Sequence, residues 1–199
     1  MTSANKMSPL LACVLLRITF ILCLSEDEEH LVRMVTEKYK FDYQVLVVDE
    51  GTKLTNFVRN QAKFSQVVTT ANFVDVFKTS SELGNLGFFV FLENNEDRTN
   101  FLRKIDPSMF VAYTWFINTD NIRDTDGLEL RFDTDIHYID STGDSTIDST
   151  GVGGDIYEVF AVKDRVVTRM VGSYSDGRLD IETTNIMERR TDLHGLTLR

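Results

Sequence analysis

Apolar residues fall in short dense runs separated by polar, turn-rich stretches, and the period of these runs changes along the chain. Over residues 30–40, Leu31, Met34, Val35 and Tyr39 recur at helical spacing and predict an amphipathic helix. Residues 41–48 read FDYQVLVV. Their β-branched end, bounded by Asp49 and Gly51, predicts a buried strand. Leu54, Phe57, Val58 and Ala62 then return to helical spacing, so strand, turn and helix form one βα unit. Residues 67–77 are mixed, with Val67 and Val68 as a short strand and Phe73 to Phe77 fitting either period. Residues 83–87 read as a loop, and residues 88–92 (FFVFL) as a second buried strand. Glu93 to Asp97 place carboxylates at the start of a helix bearing Phe101, Leu102 and Ile105, which complements the positive end of its dipole. Asp106 and Pro107 end that helix, and residues 109–117 (MFVAYTWFI) predict a third strand.

Beyond residue 117 the grammar changes. Residues 128–139, 156–162 and 166–174 are strand-like with no helical pattern between them, and they predict antiparallel, one-sided strands beside the parallel part. The expected fold class is α/β: a parallel sheet of three or more strands with crossover helices, followed by antiparallel strands. Residues 139–154 contain Ile-Asp-Ser-Thr twice at an eight-residue interval and predict a low-complexity loop.

With 199 residues, 42% of them hydrophobic, the chain can bury one good core. A formal charge of −10 repels phosphate backbones, so nucleic acid is not an expected partner. Both cysteines, Cys13 and Cys23, lie in an apolar N-terminal segment preceded by Lys6 and closed by Ser25 and an acidic run. This composition favours a secretory signal peptide over residues 1–25, ahead of an uncleaved anchor or an amphipathic helix. Arg17 interrupts the run, which is shorter than the about 20 apolar residues of a comfortable membrane span. After cleavage the 21 basic residues would fall to 19 by loss of Lys6 and Arg17, against 31 acidic ones, giving −12 and no thiol.

Candidate chemistry is sparse. Asp140, Asp144 and Asp148 recur every four residues but lack the closing glutamate of a calcium loop. The glycines at 151, 153 and 154 precede a strand where a phosphate cradle would precede a helix, so no metal or cofactor is expected. His30, His137 and His194 fall in unrelated contexts, with no nucleophile elbow or zinc-protease pattern near them. Asp49 and Glu50 follow a parallel strand, where α/β proteins place ligand groups, although turn and capping chemistry is the simpler account of them. Trp115 lies inside an apolar run and reads as core.

Several segments taken together carry a resemblance. YTWFIN (113–118), LRFDTDIHYID (130–140), DIYEVFAV (155–162), MVGSY (170–174) and the tail RRTDLHGLTLR (189–199) resemble, in order and spacing, the N-terminal extracellular region of the insect ionotropic receptors. The likeness is nearest to the antennal acid- and amine-sensing subunits of that divergent branch of the ionotropic glutamate receptors. In that family a related stretch leads into the first strand of the bilobed ligand-binding domain, and Arg189, Arg190, Asp192, Leu193, Gly195 and Leu198 match it. The repeat at 139–154 resembles an insertion, and Tyr174 stands where many relatives carry a tryptophan shortly after the glycine.

The resemblance implies a domain over 26–187 and a lead-in at 188–199, with agonist-binding lobes and pore expected beyond Arg199. It also implies association with other receptor subunits, a co-receptor among them, on the extracellular side of the membrane, with no catalysis. Arg189 and Arg190 would either orient the lead-in through salt bridges or remain solvated. Two alternatives stand beside this reading: a secreted binding protein, and a small α/β enzyme using Asp49, Glu50 and His137.

Overall fold

A computed structural model describes residues 26–49, 64–73, 85–121, 125, 127–140, 154–163, 165–175, 177–183 and 186–190. They form α1 (Glu26–Tyr39), β1 (Tyr43–Val48), β2 (Phe64–Thr69), β3 (Leu86–Phe91), α2 (Asn95–Leu102), α3 (Met109–Ala112) and β4 (Thr114–Thr119). After these come β5 (Ile136–Asp140), β6 (Gly154–Val162), β7 (Arg165–Ser175), β8 (Arg178–Ile181) and α4 (Ile186–Arg189). All eight strands join one sheet in the order β2-β1-β3-β4-β5-β6-β7-β8. Strands β1 to β5 pair in parallel, and β5 to β8 form an antiparallel meander. The fold is therefore α/β, with parallel strands first and antiparallel strands after them.

Strands apolar at every position must be covered on both faces. On one face Val45, Val47, Phe88, Val90, Trp115, Ile117, Ile136 and Tyr138 meet Phe101 and Leu102 of α2, Ile105, and Met109 and Phe110 of α3. Trp115 is fully buried, lies 4.2 Å from the Phe88 ring at 12°, and donates its indole N–H to Met109 O at 3.0 Å. Such stacked pairs contribute roughly 0.5–1.5 kcal/mol beyond the area they bury. On the other face Leu46, Val48, Phe89, Phe116 and Ile139 meet Leu31, Val32 and Val35 of α1. Glu28 and Glu29 lie in the first turn of α1, where carboxylates suit the helix dipole. Glu28 also accepts a bond from Asn118 Nδ2 at 3.2 Å, which ties α1 to β4.

Two segments depart from the sequence expectation. Residues 109–112 of the anticipated third strand are helical, and the strand starts only at Thr114. The reason lies just upstream: the Asp106 carboxylate accepts from Ser108 N at 2.9 Å and from Ser108 Oγ at 2.7 Å, which starts a new helical turn. Proline at 107 suits the start of a helix as well as the end of one. Met109 and Phe110 are buried either way, so their apolarity could not distinguish the two. The second departure is residues 128–139, of which only the end is strand. That strand, β5, runs parallel to β4 inside the sheet. Residues 128–135 cross the sheet without a helix, with Leu128 and Leu130 packed against the core.

The remaining expectations divide between the described residues and the rest. The mixed stretch yields β2, and Leu86 and Gly87 of the expected loop already belong to β3. Helix positions 54–62, segment 1–25, nearly all of the repeat and residues 191–199 lie outside the described residues. The glycine of MVGSY has a packing reason: a Cβ on Gly172 would run into the Asp180 carbonyl oxygen across the β7–β8 pair.

Asn94 caps α2, its Oδ1 accepting from Glu96 N at 2.8 Å. Asn94→Ala is expected to lower stability by about 1 kcal/mol in urea unfolding, and an unchanged midpoint would remove the cap from the account. The bonds from Ser108, side chain first, hold the Asp106 carboxyl below its ordinary range. A depressed folded pKa adds stability above the unfolded value of about 4, and that stability is lost as pH falls through the folded one. Asp106→Asn should therefore flatten the acid limb of the melting-temperature profile. Profiles that superimpose below about pH 4 would sink this assignment.

Candidate functional site

The most concentrated set of buried charges surrounds Arg190, at the end of α4. Its guanidinium is fully buried and lies 3.9 Å from the centroid of Phe160 and 5.8 Å from that of Phe132. Nη1 donates to the Phe132 carbonyl, and Nη2 donates to the Thr134 carbonyl at 2.8 Å and reaches Glu158 Oε2 at 3.5 Å. Glu158 is equally buried, with Arg169 Nη1 3.8 Å away, and Arg169 in turn binds Glu182 at 2.5 Å. Two carbonyls, a carboxylate and an aromatic face suit a planar, multidonor cation. Lysine could not reproduce that set.

Each partner is placed by local structure. Residues 131–135 turn tightly, with Arg131 N donating to Thr134 Oγ1 at 2.8 Å and Thr134 N to Arg131 O at 3.3 Å. This leaves the carbonyls of Phe132 and Thr134 pointing out of the turn toward the guanidinium. Asp135 fixes the next step, because Trp115 N donates to its carbonyl and Thr114 Oγ1 to its carboxylate at 2.6 Å. Glu158 and Phe160 alternate along β6 on the same face of the sheet.

His137 stands beside this cluster as the register partner of Glu158. It is fully buried, lies 4.7 Å from Phe116 at 15°, and has Nε2 3.4 Å from Tyr39 Oη and Nδ1 3.8 Å from Asp135 Oδ1. Tyrosine, histidine and aspartate in a line have the composition of a proton relay. His137, the middle member, is fully buried and stacked on Phe116, while Tyr39 and Asp135 are partly exposed.

Asp49 lies at the opposite, carboxyl end of the parallel strands, where the order β2-β1-β3 reverses. Its Oδ2 accepts from Glu93 N at 2.9 Å, which joins the ends of β1 and β3. Nearby, buried Arg98 donates to Leu92 O at 3.0 Å, to Thr119 Oγ1 at 3.1 Å and to Asp120 at 3.3 Å. From Asp49 to His137 is three strand spacings, roughly 14 Å across, and about 10 Å along the strands. The structure does not bring those two together, and Glu50 lies outside the described residues.

Of the tail residues singled out by sequence, Arg190 is buried and ion-paired, which decides against its remaining solvated. Arg189 closes α4, while Asp192, Leu193, Gly195 and Leu198 lie outside the described residues. His194, Asp144 and Asp148 lie outside them as well. His30 packs edge-on against Tyr174, far in the fold from His137. Sequence reasoning missed Glu158, Arg98 and the acceptor turn at 131–134. Glu158 did leave a signal, as the single charge in the apolar run IYEVFAV. No protein-family model matches the chain, and no curated protein is significantly similar to it.

Removing Arg190 strands Glu158 in the core, which commonly costs about 3–5 kcal/mol. Arg169 remains within reach but is partly exposed, so the lower end, about 3 kcal/mol, is expected for Arg190→Ala. Removing both charges in Arg190→Met/Glu158→Gln should cost less than the sum of the single changes. Additive effects in urea unfolding would show that the pair is not coupled.

Proposed function

We propose that the chain is the N-terminal extracellular domain of a chemosensory ionotropic-receptor subunit, of the ligand-gated ion channel family. In this reading it serves subunit association and export and carries no catalytic step, and its tail leads into a ligand-binding domain. One observation carries the proposal: the segments that bear the resemblance meet around one side chain. Arg190 comes from the tail motif, its acceptors Phe132 and Thr134 from LRFDTDIHYID, and Glu158 and Phe160 from DIYEVFAV. Trp115 of YTWFIN is bonded to Asp135, the residue that follows the acceptor turn.

Such an arrangement supports a connector role for the arginine pair. Arg190 fixes the lead-in to the body of the domain, so whatever follows would inherit a defined orientation. Among the described residues both buried arginines, Arg98 and Arg190, are committed to internal carbonyls and carboxylates rather than to an odorant carboxylate. Agonist recognition is assigned to the lobes expected after the tail.

The reading frame beyond Arg199 is the first test, with two ligand-binding lobes and pore helices expected there. In the full-length subunit, co-expressed with a receptor co-subunit, Arg190→Ala should reduce surface delivery several-fold while Asp49→Asn leaves it unchanged. A frame without receptor lobes, or equal delivery of both variants, would overturn the assignment.

A further inference from the structure

β7 is the longest strand of the sheet, with 11 residues, yet only its second half is flanked on both sides. β6 pairs with it from Arg165 to Tyr174, whereas β8 pairs only with residues 172–175. Glu182 N donates to Val171 O and closes that end. Among the described residues, no strand lies along the outer edge of residues 165–170. Ala161 sends its N–H to Arg131 O, away from β7, so its register partner Val166 turns its own N–H and C=O away from β6. Alternation gives Thr168 and Met170 the same outward direction. Val166 and Met170 are also the most exposed large hydrophobic side chains described, each at 52%.

Sheet edges are ordinarily blunted by charge, proline, a bulge or a covering element. The outward set here, Val166, Thr168 and Met170, carries no charge. Arg165 and Arg169 alternate to the other face, where Arg169 is held by Glu158 and Glu182. The open stretch also has fixed limits: the turn at Lys163, with φ 56°, on one side and the end of β8 on the other.

We propose that a second copy of this chain fills that notch, β7 against β7, antiparallel about a two-fold axis at Thr168. In this register Val166 of each copy faces Met170 of the other, and Thr168 meets itself, the reciprocal contact of an isologous interface. The basic turn of one copy, Lys163 and Arg165, comes end-on to Asp180 and Glu182 at the β8 end of the other. A parallel arrangement would instead bring the two basic turns together. A five-residue ladder, 166–170 of each copy, falls below the roughly 1,200 Å² of a stable free-standing interface, so the contact is weak in solution. It rests on the receptor reading only for its setting, in which copies held at one membrane have a high effective concentration.

The test uses the full chain with Cys13→Ser and Cys23→Ser. Under mild oxidation Thr168→Cys should cross-link to itself, because directly opposed strand residues lie within the about 4.4–6.8 Å Cα range of a disulfide. Val166→Cys and Met170→Cys should cross-link when mixed and not singly. In sedimentation the parent chain should shift from monomer to dimer with concentration, and Met170→Lys should weaken that dimer at least tenfold with unchanged circular dichroism. Thr168→Pro should do the same by removing an outward N–H. A chain monomeric to millimolar concentration would overturn the proposal, as would a dimer indifferent to Met170→Lys. So would a monomer whose amides at 166–170 are protected from exchange, which would place the chain's own later residues on the edge. Cross-linking at Thr168 in a protein whose frame lacks receptor lobes would sustain the edge contact and sink the receptor reading. Co-assembly with receptor subunits without that cross-link would do the reverse.

Discussion

Burial on both faces is the constraint on which the rest of this structure depends. β1 and β3 carry apolar side chains at nearly every position, and most positions of β4 and β5 are buried, so neither face of the sheet can meet water. α1 covers one face, and α2 with α3 covers part of the other. Between β4 and β5, the described residues that complete the second cover are an irregular crossover. A helix would satisfy its own backbone, but an irregular crossover must find partners for its carbonyls elsewhere. Arg190 supplies two of those partners, to Phe132 and Thr134, from a position 56 residues further along the chain. The buried guanidinium is thus a consequence of covering a two-sided sheet with a loop.

Placing an arginine there creates a second requirement. A cation removed from water needs a counter-charge and donor geometry that is fully used, or its desolvation outweighs what its bonds return. Glu158 meets that need on the adjacent strand, and the Phe160 ring presents its negative face at van der Waals distance. Glu158 in turn draws in Arg169, and Arg169 draws in Glu182 at the end of β8. The chain of charges runs from a buried pair, Arg190 and Glu158, to a partly exposed pair, Arg169 and Glu182.

Much of the fold was legible in sequence because buried parallel strands announce themselves. The runs at 45–48 and 88–92 have no other stable reading, and the strands read as antiparallel at 156–162 and 166–174 are so, whereas helical periodicity was lost one strand early, before parallel β5. The failures share one physical origin. Met109, Phe110, Leu128 and Leu130 are apolar because they pack into the core, and burial by itself does not fix backbone geometry. What decided those cases was local hydrogen bonding: Asp106 to Ser108 in the first, and the turn from Arg131 to Thr134 in the second. The candidate site was half legible. Arg190 stood out through its neighbours in the tail, but its burial depends on residues from two distant strands and a turn, which no local pattern connects.

The two ends of the parallel strands hold their charges differently, and the difference follows from what each end must join. At the carboxyl end Asp49 and Arg98 bond to the backbone of adjacent loops, so they stitch neighbouring strand ends whose separation is already set by the sheet. At the amino end of β5, Arg190 bonds across elements that no strand pairing joins: the crossover turn, β6 and the segment after β8. Removing a stitch of the first kind leaves the ladder beneath it intact. Removing the second takes donors from the carbonyls of Phe132 and Thr134, which sit in a turn with few strand bonds of its own. The sheet is therefore most sensitive at Arg190, where one side chain holds together segments that the strand ladder leaves apart.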